Sequence, residues 1–175
     1  MVGWKSEAHS TTFPHQPNRA RQPLMPKRKE HSLLTRESLT AEEALICIMV
    51  LVAAADGAIS DREIGVMAGL VQTLPAFHDF SAERLDTATE ATIALLGEDE
   101  GLSHAGQLVR AALEPRLRET AYALACDVVA AEKSSSQPVL RMLELVMQEL
   151  HLDPLVAAAV ERGARARHQR IKTAA

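Results

Sequence analysis

Three acidic residues, Asp56, Asp61 and Glu63, lie within eight positions of one another, between two apolar stretches of the chain. Carboxylate oxygens are the ligands that hard cations such as Ca²⁺ and Mg²⁺ prefer, so this spacing is compatible with a divalent-cation site. The segment does not form an EF-hand, because Ala58 and Ile64 stand where that loop needs oxygen ligands.

Helix capping is the alternative role for the same carboxylates. Ser60 followed by Glu63 matches a capping box, in which the hydroxyl and the carboxylate satisfy each other's backbone amides. Acidic residues in a first helical turn are also favoured by the backbone dipole, which accounts for Asp61. The residues alone leave cation binding and capping open.

Asp127 is a second candidate, because it stands between Cys126 and Val128 in an apolar helical pattern. A buried carboxylate without a partner is costly, so Asp127 should be paired, hydrogen-bonded or metal-bound. An ion pair with a neighbouring helix, for instance through Arg116 or Arg118, is the alternative to a ligand role.

The element that positions the first acidic group is a helical hairpin over residues 40–74. Thr40 with Glu43 predicts a capped helix start, and residues 44–55 then form twelve apolar positions without a break. That run is too short to span a bilayer, and a helix apolar on all faces should lie at the centre of a fold. Gly57 is placed to end the helix in the left-handed conformation. Ser60 then starts a second helix.

Further helices are predicted over residues 81–96, from 103 to about 113, over 115–131, from an N-cap at Ser136, and over 154–160. The arginines after Val160 are predicted to form a fraying, solvated end. Several residues are predicted to face inward on these helices at 3.6-residue spacing: Ile64, Met67, Ile93, Leu140 and Leu143.

The hairpin recurs when the chain is shifted by 76 residues. Glu43 then falls on Glu119, and the elbow residue Asp56 falls on Glu132. The repeat departs from the first copy at three elbow positions, where the second copy has Lys133, Gln137 and Val139. The sequence thus predicts an all-α fold of about seven helices, with two pseudo-symmetric helical hairpins in a compact bundle.

Composition agrees with packed helices, since hydrophobic residues make up 47% of the chain and aromatic residues only 3%. Residues 1–40 carry seven basic and three acidic residues, whereas residues 41–175 carry twelve and twenty, a net charge of −8. Such an acidic body makes nucleic acid an improbable partner and suits a cation or a basic protein.

The ends of the chain differ from this body. Residues 1–37 are predicted to be a disordered, basic, proline-rich tail, residues 38–168 the folded domain, and residues 169–175 a disordered end. Translation is hypothesised to start naturally at Met25, because nothing before it has a structural pattern. Without an apolar leader segment or a stretch of transmembrane length, the chain is predicted to be cytoplasmic.

The first hairpin carries a pattern, LVAAADGAISDRE over residues 51–63, that resembles the signature of tellurite-resistance TerB-like domains. The likeness extends over roughly residues 40–165 and includes the second hairpin. It implies an all-α domain with internal pseudo-symmetry, of a type also found at the N-terminus of DjlA-type membrane-bound co-chaperones. It further implies a stress-response role with a divalent metal held by acidic residues, here Asp56, Glu63 and Glu132 with Asp127 nearby.

Two non-enzymatic functions follow. The first is a TerB-like stress-response module that binds a divalent cation at the hairpin elbow. The alternative is a protein–protein interaction domain of the co-chaperone type, without metal, whose elbow carboxylates only cap helices. An enzyme is not expected, because no set of nucleophile, base and orienting group can be read from the chain and its histidines at 78, 104 and 151 lie apart.

Overall fold

The computed structural model describes residues 38–131 and 136–171, and these residues form seven α-helices without a strand. The helices are α1 (Ala41–Ala53), α2 (Asp61–Thr73), α3 (Ala82–Leu96), α4 (Gly101–Ala112), α5 (Pro115–Ala131), α6 (Gln137–Glu149) and α7 (Pro154–Arg167). Short 3₁₀ turns follow α1 at Ala54–Asp56 and α2 at Pro75–Phe77. The prediction of an all-α bundle is confirmed.

Helix α1 is the centre of the core. All ten of its residues from 44 to 53 are buried, and the helix contacts α3, α4, α5 and α6. A helix whose every face is apolar has to be covered on every side, and these four helices supply the cover. The central position predicted for this segment is therefore confirmed.

The chain has two pseudo-symmetric halves, α1–α3 and α5–α7, and the second helix of each half packs on the first helix of the other half. Helix α2 packs mainly on α5 and only slightly on α1, while α6 packs on α1 as well as on α5. The third helix of each half completes the pattern, since α3 lies on α1 and α7 lies on α5. Each half therefore covers the first helix of the other half, and α4 fills the remaining side of α1.

The first two helix starts have the predicted capping boxes. At α1 the Thr40 amide donates to Glu43 Oε2 at 2.9 Å, and the Glu43 amide donates to Thr40 Oγ1 at 3.3 Å. Gly57 ends the 3₁₀ turn after α1 with a φ of 106°, in the left-handed region where glycine is favoured.

The second hairpin has no capping box at the start of α6. Ser136 is the N-cap of α6, but its buried hydroxyl makes no hydrogen bond within the described residues. Val139 stands where a capping box needs a Glu or Gln, so the reciprocal bond cannot form.

Three residues predicted to face inward are about half exposed: Ile64, Ile93 and Leu140. Each directly follows a position that is buried, respectively Glu63, Thr92 and Val139. One residue along an α-helix is a rotation of about 100°, which places these side chains at the margin of the apolar stripe. Their prediction as core residues is wrong.

Two helix boundaries also differ from the prediction. Helix α4 begins at Gly101 rather than Ser103, after Glu100 adopts a left-handed φ of 62°. Gly101 packs so closely on the preceding helix that a Cβ atom there would lie 2.0 Å from the Leu95 carbonyl oxygen. Helix α7 runs on to Arg167 rather than ending near Val160.

Candidate functional site

Glu63 at the first elbow is occupied by capping. Its Oε2 accepts hydrogen bonds from the Ser60 amide at 2.8 Å and from the Ser60 hydroxyl at 2.9 Å, while the Glu63 amide donates to Ser60 Oγ at 3.2 Å. The residue is only 7% exposed and shares the buried row of α2 with Met67 and Val71. The Glu63 carboxylate can lie against the core because the Ser60 amide and hydroxyl, at the start of α2, donate hydrogen bonds to it.

The other carboxylates of the first elbow, Asp56 and Asp61, are exposed. Among the described residues, no group of three or more His, Cys, Asp and Glu side chains is arranged to hold a metal ion. Glu132, the fourth member of the predicted ligand set, lies outside the described residues, as does Lys133. Cation binding at the elbow accordingly stays a prediction.

Asp127 is paired, but with residues other than those predicted. Arg167 Nη2 donates to Asp127 Oδ1 at 2.7 Å, and His168 Nε2 lies 3.3 Å from the same oxygen. The predicted partners bind elsewhere, since Arg116 pairs with Glu114 and Arg118 donates to the Leu113 carbonyl.

This ion pair corrects the interpretation of the C-terminal arginines. The Asp127 side chain is only 13% exposed, so the carboxylate gains from a cation that crosses to it from α7. Arg167 thus joins α7 to α5, and the helix continues to this residue instead of fraying after Val160, while Arg162 and Arg165 are exposed.

The side chains of Cys47, Tyr122 and Cys126 face inward. Tyr122 donates its hydroxyl to Glu161 at 2.8 Å, and burial together with this carboxylate raises the Tyr122 pKa above its ordinary value. Burial, reinforced by Glu161, raises the pKa of the Cys126 thiol to about 12, and burial raises that of Cys47 to about 12. Both thiols are therefore protonated at neutral pH, whereas the thiolate is the form that acts as a nucleophile.

His78 and Asp79, adjacent in sequence, form an exposed pair. His78 Nδ1 lies 3.0 Å from Asp79 Oδ1, and the two side chains are 86% and 96% exposed. A pair so open to water lies on the surface and not in an enclosed site.

An apolar groove lies between α4 and α6, with α1 as its floor, and encloses a volume of about 360 Å³. Its size falls at the lower end of the range for ligand pockets, about 300–1,000 Å³. Apolar residues from the three helices line it: Ile48 and Leu51 from α1, Leu102 and Val109 from α4, Met142, Leu145 and Val146 from α6, and Leu150 directly after α6.

Two of the lining side chains, Leu102 and Leu145, are more than 40% exposed. Gly106 allows the Glu149 side chain of the opposite wall to approach α4, because a Cβ atom at Gly106 would lie 3.0 Å from the Glu149 carboxylate. The sequence did not predict this site. Leu102 and Leu145, which stand outside the predicted core pattern, were the signal that could have indicated it.

Acidic residues border the groove. Glu100 and Glu149 line it directly, and Glu98 and Asp99 precede Glu100 in the exposed turn between α3 and α4. Glu149 forms an ion pair with Arg110, whereas Glu98, Asp99 and Glu100 form none with any described residue. The mouth of the groove thus combines apolar walls with uncompensated negative charge.

Within the described residues, no helix combines the length and the apolar character that crossing a membrane requires. Comparisons of the chain with known protein families, with curated proteins and with solved structures return no match.

Proposed function

We propose that this chain is a protein-interaction module that binds one helix of a partner protein in the groove between α4 and α6. The observation that carries the proposal is the groove itself, with two leucines more than 40% exposed at its wall. Contiguous apolar surface bordered by polar residues marks interaction sites on proteins. A groove between two helices suits a third helix, whose apolar side chains recur every three or four residues.

The resemblance to TerB-like domains supports a place for this module in a stress response. Its two described cysteines are free and buried, as is usual for a protein in a reducing compartment, which supports a cytoplasmic location.

Binding of a divalent cation at the first elbow is the alternative proposal. The exposed carboxylate of Asp56 supports it, because a cation could reach this side chain without disturbing the core. Glu63 argues against it, because its Oε2 already accepts two hydrogen bonds from Ser60. We therefore favour capping as the role of the elbow carboxylates.

The groove can be tested with a synthetic helical peptide that carries leucines at positions i, i+4 and i+7 and an uncharged polar face. We expect the full-length, isotope-labelled protein to show amide shift changes on α4 and α6 when this peptide is added. Leu145→Asp should weaken binding at least tenfold, about 1.4 kcal/mol, because it places a charge in the apolar wall.

Ile93→Asp is the matched control, since Ile93 is exposed to a similar degree and does not line the groove. It should leave peptide binding unchanged. Shift changes confined to other helices, or equal losses for both variants, would show that the groove is not the binding site.

A further inference from the structure

The three carboxylates of the turn before α4, Glu98, Asp99 and Glu100, are consecutive, exposed and without an ion pair among the described residues. Glu100 also lines the groove, so this turn lies at the groove's edge. Arg110 of α4 already binds Glu149 of the opposite wall, α6, so the positive charge of Arg110 is compensated by that carboxylate. The charge at the edge of the groove is therefore negative.

Charge of this kind selects among possible partners. Complementary charges across an interface raise the association rate and exclude partners of the wrong sign. A cationic helix gains from the turn, whereas a helix with an acidic polar face is repelled by it. A second copy of this chain, bound groove to groove, would bring two such acidic turns into the same interface, which like-charge repulsion opposes.

We infer that the partner is a basic amphipathic helix, with leucine-like side chains in the groove and Lys or Arg residues facing Glu98, Asp99 and Glu100. This inference rests on the proposed interaction function and adds the chemistry of the partner. The apolar face supplies the contact with Leu102 and Leu145, while the basic face fixes the helix at the acidic edge.

The test uses three synthetic helical peptides with the same leucine positions and with basic, neutral or acidic polar faces. Binding to the full-length protein is measured by fluorescence anisotropy at low and at high salt. We expect the basic peptide to bind at least tenfold more tightly than the neutral one at low salt. The difference should shrink at high salt, because exposed charges are screened.

A matched pair of charge variants identifies the source of this preference. The triple variant Glu98→Gln, Asp99→Asn, Glu100→Gln should weaken binding of the basic peptide about tenfold and leave the neutral peptide unaffected. The control is a triple variant with the same change in net charge on the exposed face of α3: Glu83→Gln, Asp86→Asn, Glu90→Gln. It should change neither affinity by more than about twofold, since these residues do not line the groove.

The outcomes separate the two proposals. Equal binding of all three peptides, lost in Leu145→Asp, would overturn the basic-partner inference and leave the interaction function intact. A failure of every peptide to bind would overturn both. Concentration-dependent dimerisation that Leu145→Asp abolishes, seen by analytical ultracentrifugation, would overturn the inference by showing that a second copy occupies the groove.

Discussion

Replacing Glu63 separates capping from cation binding at the first elbow. In Glu63→Ala the two hydrogen bonds that Oε2 accepts from Ser60, at 2.8 and 2.9 Å, are lost together. A hydrogen bond to a charged group contributes about 1.5–3 kcal/mol, but Ser60 is exposed and water can replace part of the loss. We therefore expect a decrease of about 1–2 kcal/mol in the free energy of unfolding, within the range for N-cap substitutions.

Glu63→Gln should be much milder. The glutamine amide keeps an oxygen that can accept from the Ser60 amide, and Gln is tolerated at this position of a capping box. We expect a loss of about 0.5 kcal/mol or less. Asp61→Asn is the matched control, because it removes one negative charge from the same helical turn. It should cost only a few tenths of a kcal/mol through the helix dipole.

Thermal unfolding of the full-length protein measures these differences. For a folded part of this size, 1 kcal/mol corresponds to about 4 °C in Tm. Each variant is compared after chelator treatment, with and without millimolar Ca²⁺, Mg²⁺, Mn²⁺ or Zn²⁺. If Glu63 only caps the helix, none of these cations should change the difference in Tm between the wild type and Glu63→Gln.

A cation site would give a different result. A cation at about a hundred times its Kd adds about 2.7 kcal/mol to the stability of the protein that binds it. A rise of that size in the wild type, absent from Glu63→Gln, would refute the capping interpretation. Equal destabilisation by Glu63→Ala and Glu63→Gln without cations would also contradict it.

Two further predictions concern backbone packing and buried thiols. Gly65→Ala should stabilise the protein by about 0.5–1 kcal/mol, because alanine is the better helix former and the space around Gly65 is open, whereas Gly101→Ala should destabilise it by about 1–3 kcal/mol through a clash with backbone. Urea unfolding measures both, and a Gly101→Ala variant at least as stable as the wild type would contradict the close packing of Gly101. The pKa of Cys47 is raised from 9.0 to about 12 in the folded protein, so the unfolded chain releases this proton first and folding loses stability as the pH rises from 9 to 12. Cys47→Ala should make that decline in the free energy of unfolding less steep, with the contribution of Cys126 remaining, and an unchanged pH dependence would show that the Cys47 thiol is not buried.

Features that depend on neighbouring residues were predictable from the sequence. The boxes at Thr40 and Ser60 and the left-handed Gly57 each involve residues no more than four positions apart, and the structure confirms all three. The central place of α1 followed from composition alone, because an uninterrupted apolar helix has no face that water can solvate.

Features that depend on distant residues were not predictable. The partner of Asp127 lies 40 positions away on α7, and no local pattern connects Asp127 with Arg167. The arginines after Val160 were interpreted as a solvated end, since their charge fits a helix C-terminus equally well with or without a tertiary contact.

The groove was missed for a related reason. Its floor and walls come from three helices. Hydrophobic periodicity shows which side of a helix is apolar, but it does not show whether another helix packs against that side. Leu145 is an example, because its exposure depends on how α4 and α6 pack together, which only the assembled fold shows.

The exchange of partners between the hairpins bears on how the fold comes together. Because α2 rests mainly on α5 and α6 covers α1, each half of the chain hides apolar surface that belongs to the other half. The halves thus behave toward each other as the subunits of a dimer that happen to share one polypeptide. Helix α4 and the turns on either side of it join these quasi-subunits, and a chain severed at the turn between α3 and α4 should recover its fold by reassociation of the fragments. The same arrangement allows two chains at high concentration to exchange their equivalent halves and form a domain-swapped dimer.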